Sequence, residues 1–420
     1  MAPFNLILTK ADFDSQRWED VLAASKEPTC SGFCGALRAK VDEAKSKSDL
    51  KGEQIYALLH AASSLCLELG SPKQPFRPAV VFEKIRSAAL EDFGPSDGAA
   101  FAEIAATTHL ATRLRKVVST AHIPDATDKE IDNALGNLAK AKIDWAVVYD
   151  VGQGNSIGLC NGRGSVEAYF DLGGGVLANA ATFPSTLKNF CFTRNPPIIL
   201  SHWDFDHWSS ANRDTNALAR TWLAPRQSVG PTHVALMTSI MSSGKLLLAP
   251  PGLATKWRGQ LQLEFCNGSG RNHSGIALTL SEKPNGVGEQ MLFPGDARYP
   301  CLPSLSSKQN YLSAVAPHHG ADMKNRTVPT CLGLNPSRLV YSFGAGNTFS
   351  HPRYVTRVDH NGAGWHDPVI AAGAAHYEVR ETANRGSSSL GHVLLGWKRH
   401  GTAPTLPCFG LQCQLKVQQL

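Results

Sequence analysis

LSHWDFDHW, residues 200–208, places two imidazoles and two carboxylates within six residues: His202, Asp204, Asp206 and His207. It continues a strand-like run, PPIIL (196–200), and a rigid strand ending in a ligand-rich loop is how a scaffold positions reactive groups. Imidazole nitrogen and carboxylate oxygen are good donors for Zn2+ or Mn2+, and four such groups in one loop can be shared between two neighbouring ions. Trp203 and Trp208 give the loop apolar anchors. The same donor types recur at the ends of later strand-like runs: Asp296 in MLFPGDARY (291–299), His318 and His319 in VAPHHGAD (315–322), and His351 in GNTFSHP (346–352).

Outward from this loop, the texture fixes the fold class. At Ile143 the chain enters DWAVVYDVGQGNSIGL (144–159), where β-branched and aromatic residues are interrupted by glycines, as paired strands and tight turns require. Strand-like runs follow in SVEAYFDLG, PPIILSH, RTWLAP, LQLEFC, GIALTL, QMLFPGD, LSAVAPHH, RLVYSFG and HVLLGW, with a helical piece in VALMTSIMSSGKL. Alternating strands and helices predict an α/β sandwich over residues 143–400. Residues 1–142 differ, being rich in Ala, Leu, Lys and Glu. Helical spacing recurs there in residues 52–69, 78–93, 99–121 (capped from Pro95, Asp97 and Gly98) and 128–142. This predicts an all-helical N-terminal domain of no recognisable motif, and residues 401–420 form a C-terminal tail. No internal repeat is visible.

Composition narrows the class further. Over 420 residues, 42% hydrophobic and 18% charged is the balance of a folded, loop-rich protein and excludes a disordered one. A net charge of +6 is mild for this length and selects no partner. The ten cysteines are scattered, which excludes a dense disulfide framework, and Cys30 with Cys34 lacks the second pair of a structural zinc site. The N-terminus lacks the basic start and long apolar centre of a signal peptide, and no run of eighteen apolar residues predicts a membrane span. The expected compartment is cytoplasmic, with no membrane partner.

Four motifs carry a resemblance. YDVGQGNS (149–156), HWDFDH (202–207), PGDA (294–297) and PHHG with GAGNTFSHP (317–320, 344–352) resemble the metallo-β-lactamase superfamily, and within it the nuclease-like domain of ComEC-type DNA-uptake proteins. The resemblance spans about residues 144–400 and implies an αββα sandwich behind the helical N-terminal domain. It implies His202 and Asp204 on a first metal, Asp206 and His207 on a second, and Asp296 bridging both. One of His318 and His319 completes the second metal, and either fits. The third ligand of the first metal falls in RNHSGIALTL (271–280), where Asn272, His273, Ser274 or a water fits. Two departures stand out: Ser209 and Ser210 replace the glycines that follow the family's metal loop, and Asn155 replaces the acid that ends its first motif.

The implied activity is that of a binuclear hydrolase using two divalent ions, Zn2+ or Mn2+, with Asp206 orienting the attacking hydroxide. His351 either donates a proton on the leaving-group side or is a hydrogen-bonded structural residue. Asn347 and Arg298 are the candidate substrate-facing residues, and Lys324, Arg326, Arg338 and Arg353 add positive charge for phosphates. Asp150 and Asp171 read as structural. A phosphodiesterase or nuclease acting on nucleic acid or nucleotide is the leading expectation. Hydrolysis of a small ester, lactam, thioester or cyclic nucleotide is the second. A non-catalytic scaffold, whose N-terminal helices bind a protein partner or self-associate, is the third.

Overall fold

The computed structural model describes residues 4–9, 99–104, 120 and 123–397, apart from 253, 308–309, 323–326, 335 and 386–389. The chain divides into two compact units, Met1–Pro124 with Ser228–Ser239, and Asp125–Gln227 with Ile240–Leu420. In the first, β1 (Phe4–Thr9) pairs antiparallel with β2 (Ala99–Ile104), Phe4 opposite Ile104 and Thr9 opposite Ala99. This corrects the start of the helix expected over 99–121. Local propensity is a weak preference, and pairing with a partner far away in sequence overrides it here. The other helices expected before residue 119, and the tail 401–420, lie outside the described residues.

The second unit opens on α1 (Asp128–Ala134), whose start is fixed by a capping box: Thr127 Oγ1 accepts from the Glu130 amide at 3.3 Å, and the Glu130 carboxylate accepts from the Thr127 amide at 2.9 Å. The single helix expected over 128–142 is broken at Leu135, and α2 (Gly136–Lys140) follows. Gly136, a poor helix former, marks the break.

Two seven-stranded sheets then form. The first contains β3 (Trp145–Val148), β4 (Ser156–Cys160), β5 (Val166–Leu172), β6 (Ile198–Ile199), β7 (Thr221–Pro225) and β8 (Lys245–Ala249). The second contains β9 (Lys256–Arg258), β10 (Leu261–Phe265), β11 (Ile276–Lys283) and β12 (Val287–Phe293). After the short β13 (Asn310–Tyr311), it continues through β14 (Ser313–Val315). After the equally short β15 (Thr330–Cys331), it ends with β16 (Arg338–Tyr341) and β17 (Val379–Glu381). The last strand, β18 (Val393–Gly396), returns to the first sheet and pairs with β3. Spatial orders are β18-β3-β4-β5-β6-β7-β8 and β9-β10-β11-β12-β14-β16-β17. Read in those directions, each sheet makes three antiparallel pairings and then three parallel ones. The pairing pattern is thus duplicated, although no sequence repeat announces it.

The sheets face each other through one core. Ile157, Phe170 and Leu223 of the first meet Leu278, Leu280, Met291, Phe293 and Val340 of the second, and Ile131 and Leu138 of the helix pair join them. Alternation sends Ala277, Leu292, Leu339 and Tyr341 to the opposite face of the second sheet, where they bury against Tyr299 and Trp365. Each fully buried side chain of this kind contributes roughly 1.5–3 kcal/mol of hydrophobic stabilisation. All nine strand-like runs beyond Ile143 form strands. KLLLA (245–249), read partly as a helix end, is instead β8, because α3 (Pro231–Ser243) stops at Gly244. No helix among the described residues is long and apolar enough to cross a membrane.

Candidate metal centre

The donor groups leave the sheets at strand ends. His202, Asp204, Asp206 and His207 follow β6, Asp296 follows β12, and His318 with His319 follows β14. Ends of parallel strands are where open α/β sheets hold ligands. The metal loop is pinned from below by DLGGG (171–175). The amides of Asn155 and Gly174 donate to the Asp206 carbonyl at 3.2 and 3.0 Å. A Cβ on Gly173 would lie 1.6 Å from that carbonyl, so only glycine admits the approach. Ser209 Oγ donates to the Gly174 carbonyl at 3.1 Å, and Ser210 Oγ donates to the Gly173 carbonyl. Ser209 and Ser210 therefore tie the loop to its floor.

Each buried imidazole is held by its Nδ1. His207 donates from Nδ1 to Asp171 Oδ2 at 2.7 Å, His319 to the Ser342 carbonyl at 2.8 Å, and His202 to Ser201 Oγ at 2.9 Å. Asp171 is wholly buried and is itself fixed by the Ser201 amide (2.7 Å), Ser201 Oγ (2.8 Å) and Asn155 Nδ2 (3.0 Å). An acid at 155 would set a carboxylate against Asp171, whereas Asn155 donates to it. Asp171, read from the sequence as structural, does bond the loop backbone at the Ser201 amide and in addition anchors His207. Its signal was a carboxylate at a strand end followed by glycines, but its φ of +59° redirects the side chain in a way no pattern encodes.

With Nδ1 committed, the Nε2 atoms of His202, His207 and His319 turn inward. Those three atoms and Asp296 Oδ1 are buried with no hydrogen-bond partner among the described residues. His207 Nε2 lies 3.0 Å from Asp296 Oδ1, and His319 Nε2 is 3.8 Å from that oxygen and 3.2 Å from Asp206 Oδ2. His202 Nε2 stands 3.4 Å from Asp204 Oδ2 and 3.6 Å from Asp296 Oδ2. Lone pairs facing one another at such distances call for a cation between them, either a proton or a metal. A tetrahedral ion with bonds of about 2.0–2.1 Å spaces its ligands about 3.3 Å apart, so these separations suit one. The donor atoms of His202, His207 and Asp296, and likewise of Asp206, His207 and His319, lie within 4.8 Å of one another.

The electrostatics carry the same demand. Burial alone would raise the Asp296 pKa, but His207, His318, His319 and His202 hold it well below the carboxylate range. Burial disfavours charge on His207, yet Asp296 and Asp171 outweigh it and raise the ring well above its ordinary value. Asp206 is likewise lowered against its burial by His319 and His207.

The remaining expected residues fall in different places. His318 Nε2 stands 3.6 Å from Asp296 Oδ2. His273 turns Nδ1 toward the Arg298 amide at 3.5 Å. Arg271, which sequence reasoning passed over, pairs with Asp204 Oδ1 at 3.0 Å. Arg298 keeps Nε buried without a hydrogen-bond partner among the described residues. His351 faces the histidine pair, its ring centroid 5.7 Å from that of His318, and Gln153 Nε2 is 3.4 Å from its Nδ1. Burial, then the charges of His319 and His318, push the His351 pKa down to about 3. Asn347 commits its amide to the turn, donating to the Gly344 and His351 carbonyls at 3.0 and 2.8 Å and accepting from the His351 amide at 3.0 Å. Arg338 donates to the Leu394 carbonyl at 2.6 Å, Arg353 is exposed, and Lys324 and Arg326 lie outside the described residues. Asp150 accepts from Arg385 Nε at 2.6 Å and from the Gly391 amide at 3.0 Å.

A family described only as a domain of unknown function (DUF7380) matches residues 3–115. No curated protein matches the chain. Among solved structures, the chain is similar to Zn2+-bound PqqB from Methylobacterium extorquens, with 9% identity over 40% of this chain and 71% of that one, at a TM-score of 0.24.

Proposed function

We propose that the chain is a divalent-metal-dependent hydrolase of the metallo-β-lactamase fold that cleaves phosphodiesters in nucleic acid or a nucleotide. The observation that carries the metal reading is the set of inward-facing, buried and unpartnered atoms on His202, His207, His319 and Asp296. The fold assignment rests on two face-to-face sheets of duplicated pairing, with the motif-bearing loops leaving strand ends. A divalent ion held by His202, His207, His319 and Asp296 would supply Lewis acidity for activating water and for neutralising charge on a phosphoryl oxygen.

The chain's own residues do the rest. Asp206 is one-fifth exposed, with Oδ2 on His319 and Oδ1 4.0 Å from His207 Nε2, so it reaches the open side and orients the attacking water. Arg298, partly buried, supplies positive charge for a substrate anion. His351, kept neutral at physiological pH, offers a hydrogen bond rather than a full positive charge. The buried Asp171 holds His207 in the tautomer that leaves Nε2 free.

The test offers purified protein DNA, RNA, a chromogenic phosphodiester and a lactam, with Mn2+ and Zn2+ compared and chelator controls. Metal-dependent cleavage of the phosphodiesters supports the reading. Turnover of the lactam alone moves the protein to the small-substrate class. No bound metal and no turnover on any of them leaves the scaffold reading.

A further inference from the structure

We infer that the two adjacent histidines serve different ions: His319 completes the Asp206/His207 half of the centre, and His318 completes the His202/Asp204 half. The inference rests on the metal reading above and supplies the first-site ligand for which Asn272, His273, Ser274 or a water was expected.

Asp296 shows the division. Its Oδ1 faces His207 and His319 at 3.0 and 3.8 Å, and its Oδ2 faces His202 and His318, both at 3.6 Å. Each oxygen thus meets one imidazole from the metal loop and one from the histidine pair. The backbone makes this possible. His318 and His319 both occupy the left-handed region, at φ 49° and 56°, which is unfavourable for a side-chain-bearing residue and persists only where surroundings impose it. Successive residues in that region point their side chains apart, and the two rings stand 6.2 Å apart at 77°. The turn is held by the His318 amide on the Gly295 carbonyl (3.1 Å) and the Ala321 amide on the His318 carbonyl (2.9 Å).

The segment expected to supply the ligand presents a cation instead. Arg271, 8% exposed, holds Asp204 Oδ1 and leaves Oδ2 toward His202. Gln227 Nε2 fixes that segment by donating to the Arg271 carbonyl at 2.7 Å and Ser274 Oγ at 3.1 Å. His273 is turned to the Arg298 amide. Arg271 is a positioning residue for Asp204, and the remaining imidazole that faces Asp296 Oδ2 is His318.

The experiment counts metal. Full-length protein is stripped, reloaded with Zn2+, desalted and measured by elemental analysis, with circular dichroism to verify the fold. Asparagine tolerates the left-handed backbone and is too short to reach the ions, so the variants are H318N and H319N. Wild type is expected to hold two ions and each single variant one. H318N combined with Asp204→Ala still holds one, because both changes strike the same ion, whereas H318N/H319N holds none. Two ions retained in H318N, or only one in wild type, overturns the assignment and leaves the metal reading standing. No ion in wild type sinks the metal reading itself.

Discussion

The two halves of the centre draw on the same residue types and are built differently. Around His207 and His319 both rings are almost fully enclosed, 0% and 3% exposed, and each Nδ1 is tied to a strong acceptor, the Asp171 carboxylate or the Ser342 carbonyl. Around His202 the ring leans on a hydroxyl, Ser201 Oγ, that already serves Asp171, while Asp204 and His318 stand 20% and 34% exposed. Anchored imidazoles keep their geometry when nothing is bound, whereas exposed donors must be gathered by what they bind. The difference teaches that one half is preorganised by the fold while the other is left adjustable.

Replacing His207 should break the comparison outright. His207→Ala removes the group between Asp171 and Asp296 and leaves two buried carboxylates facing each other across the gap. The metal-free protein should lose about 3–5 kcal/mol in a denaturant titration. If the variant unfolds like wild type, the ring does not mediate between those carboxylates.

An effect of fold-wide origin has to be separated from any acid titration of the two halves. His360 is buried between Tyr299 and Tyr341, whose hydroxyls lie 2.8 Å from its Nε2 and 2.9 Å from its Nδ1. Burial pushes its pKa down to about 4. Between that value and the ordinary 6.5 the unfolded chain binds a proton that the folded chain does not. Stability is therefore complete above pH 6.5, falls as pH drops toward 4 by about 3 kcal/mol, and is flat in this respect below. His360→Gln should flatten that part of the pH profile of unfolding, and an unchanged slope would place its origin elsewhere.

The smallest effect sharpens the contrast most. Asp171→Asn keeps the shape but weakens the anchor of His207, and loss of such a partner reduces metal affinity roughly 10–100-fold. Competition with a graded chelator should show the anchored half weakened far more than the open one. Equal weakening of both would mean that Ser201 passes the loss on to His202.

Much of this was legible in the sequence. Runs such as AVV, IIL and LVY declare themselves as strands because glycines and prolines punctuate them, and the metal loop stands out because six residues hold four donors. What was hidden depends on long-range geometry. Nothing in AAFAEI announces a partner at residues 4–9. The anchoring of His207 by Asp171 depends on a left-handed backbone at a strand end, and the divergent orientation of the His318 and His319 rings depends on two more. Arg271 was overlooked because neighbouring Asn272, His273 and Ser274 are better ligands by residue type, while the fold selects for charge opposite Asp204.

The pairing of β18 with β3 sets a schedule for synthesis. Val148 pairs early with Ile157 on one side but finds its partner on the other side only when Val393 has left the ribosome, and at ordinary elongation rates that interval lasts roughly 10–50 s. By the end of this time all the donor residues from His202 to His319 have been made, yet until Val393 emerges the first sheet has an open edge at β3, able to pair with another chain. Nascent protein is therefore the form most in need of protection, and messages cut short before the last strand should yield aggregates rather than dispersed protein.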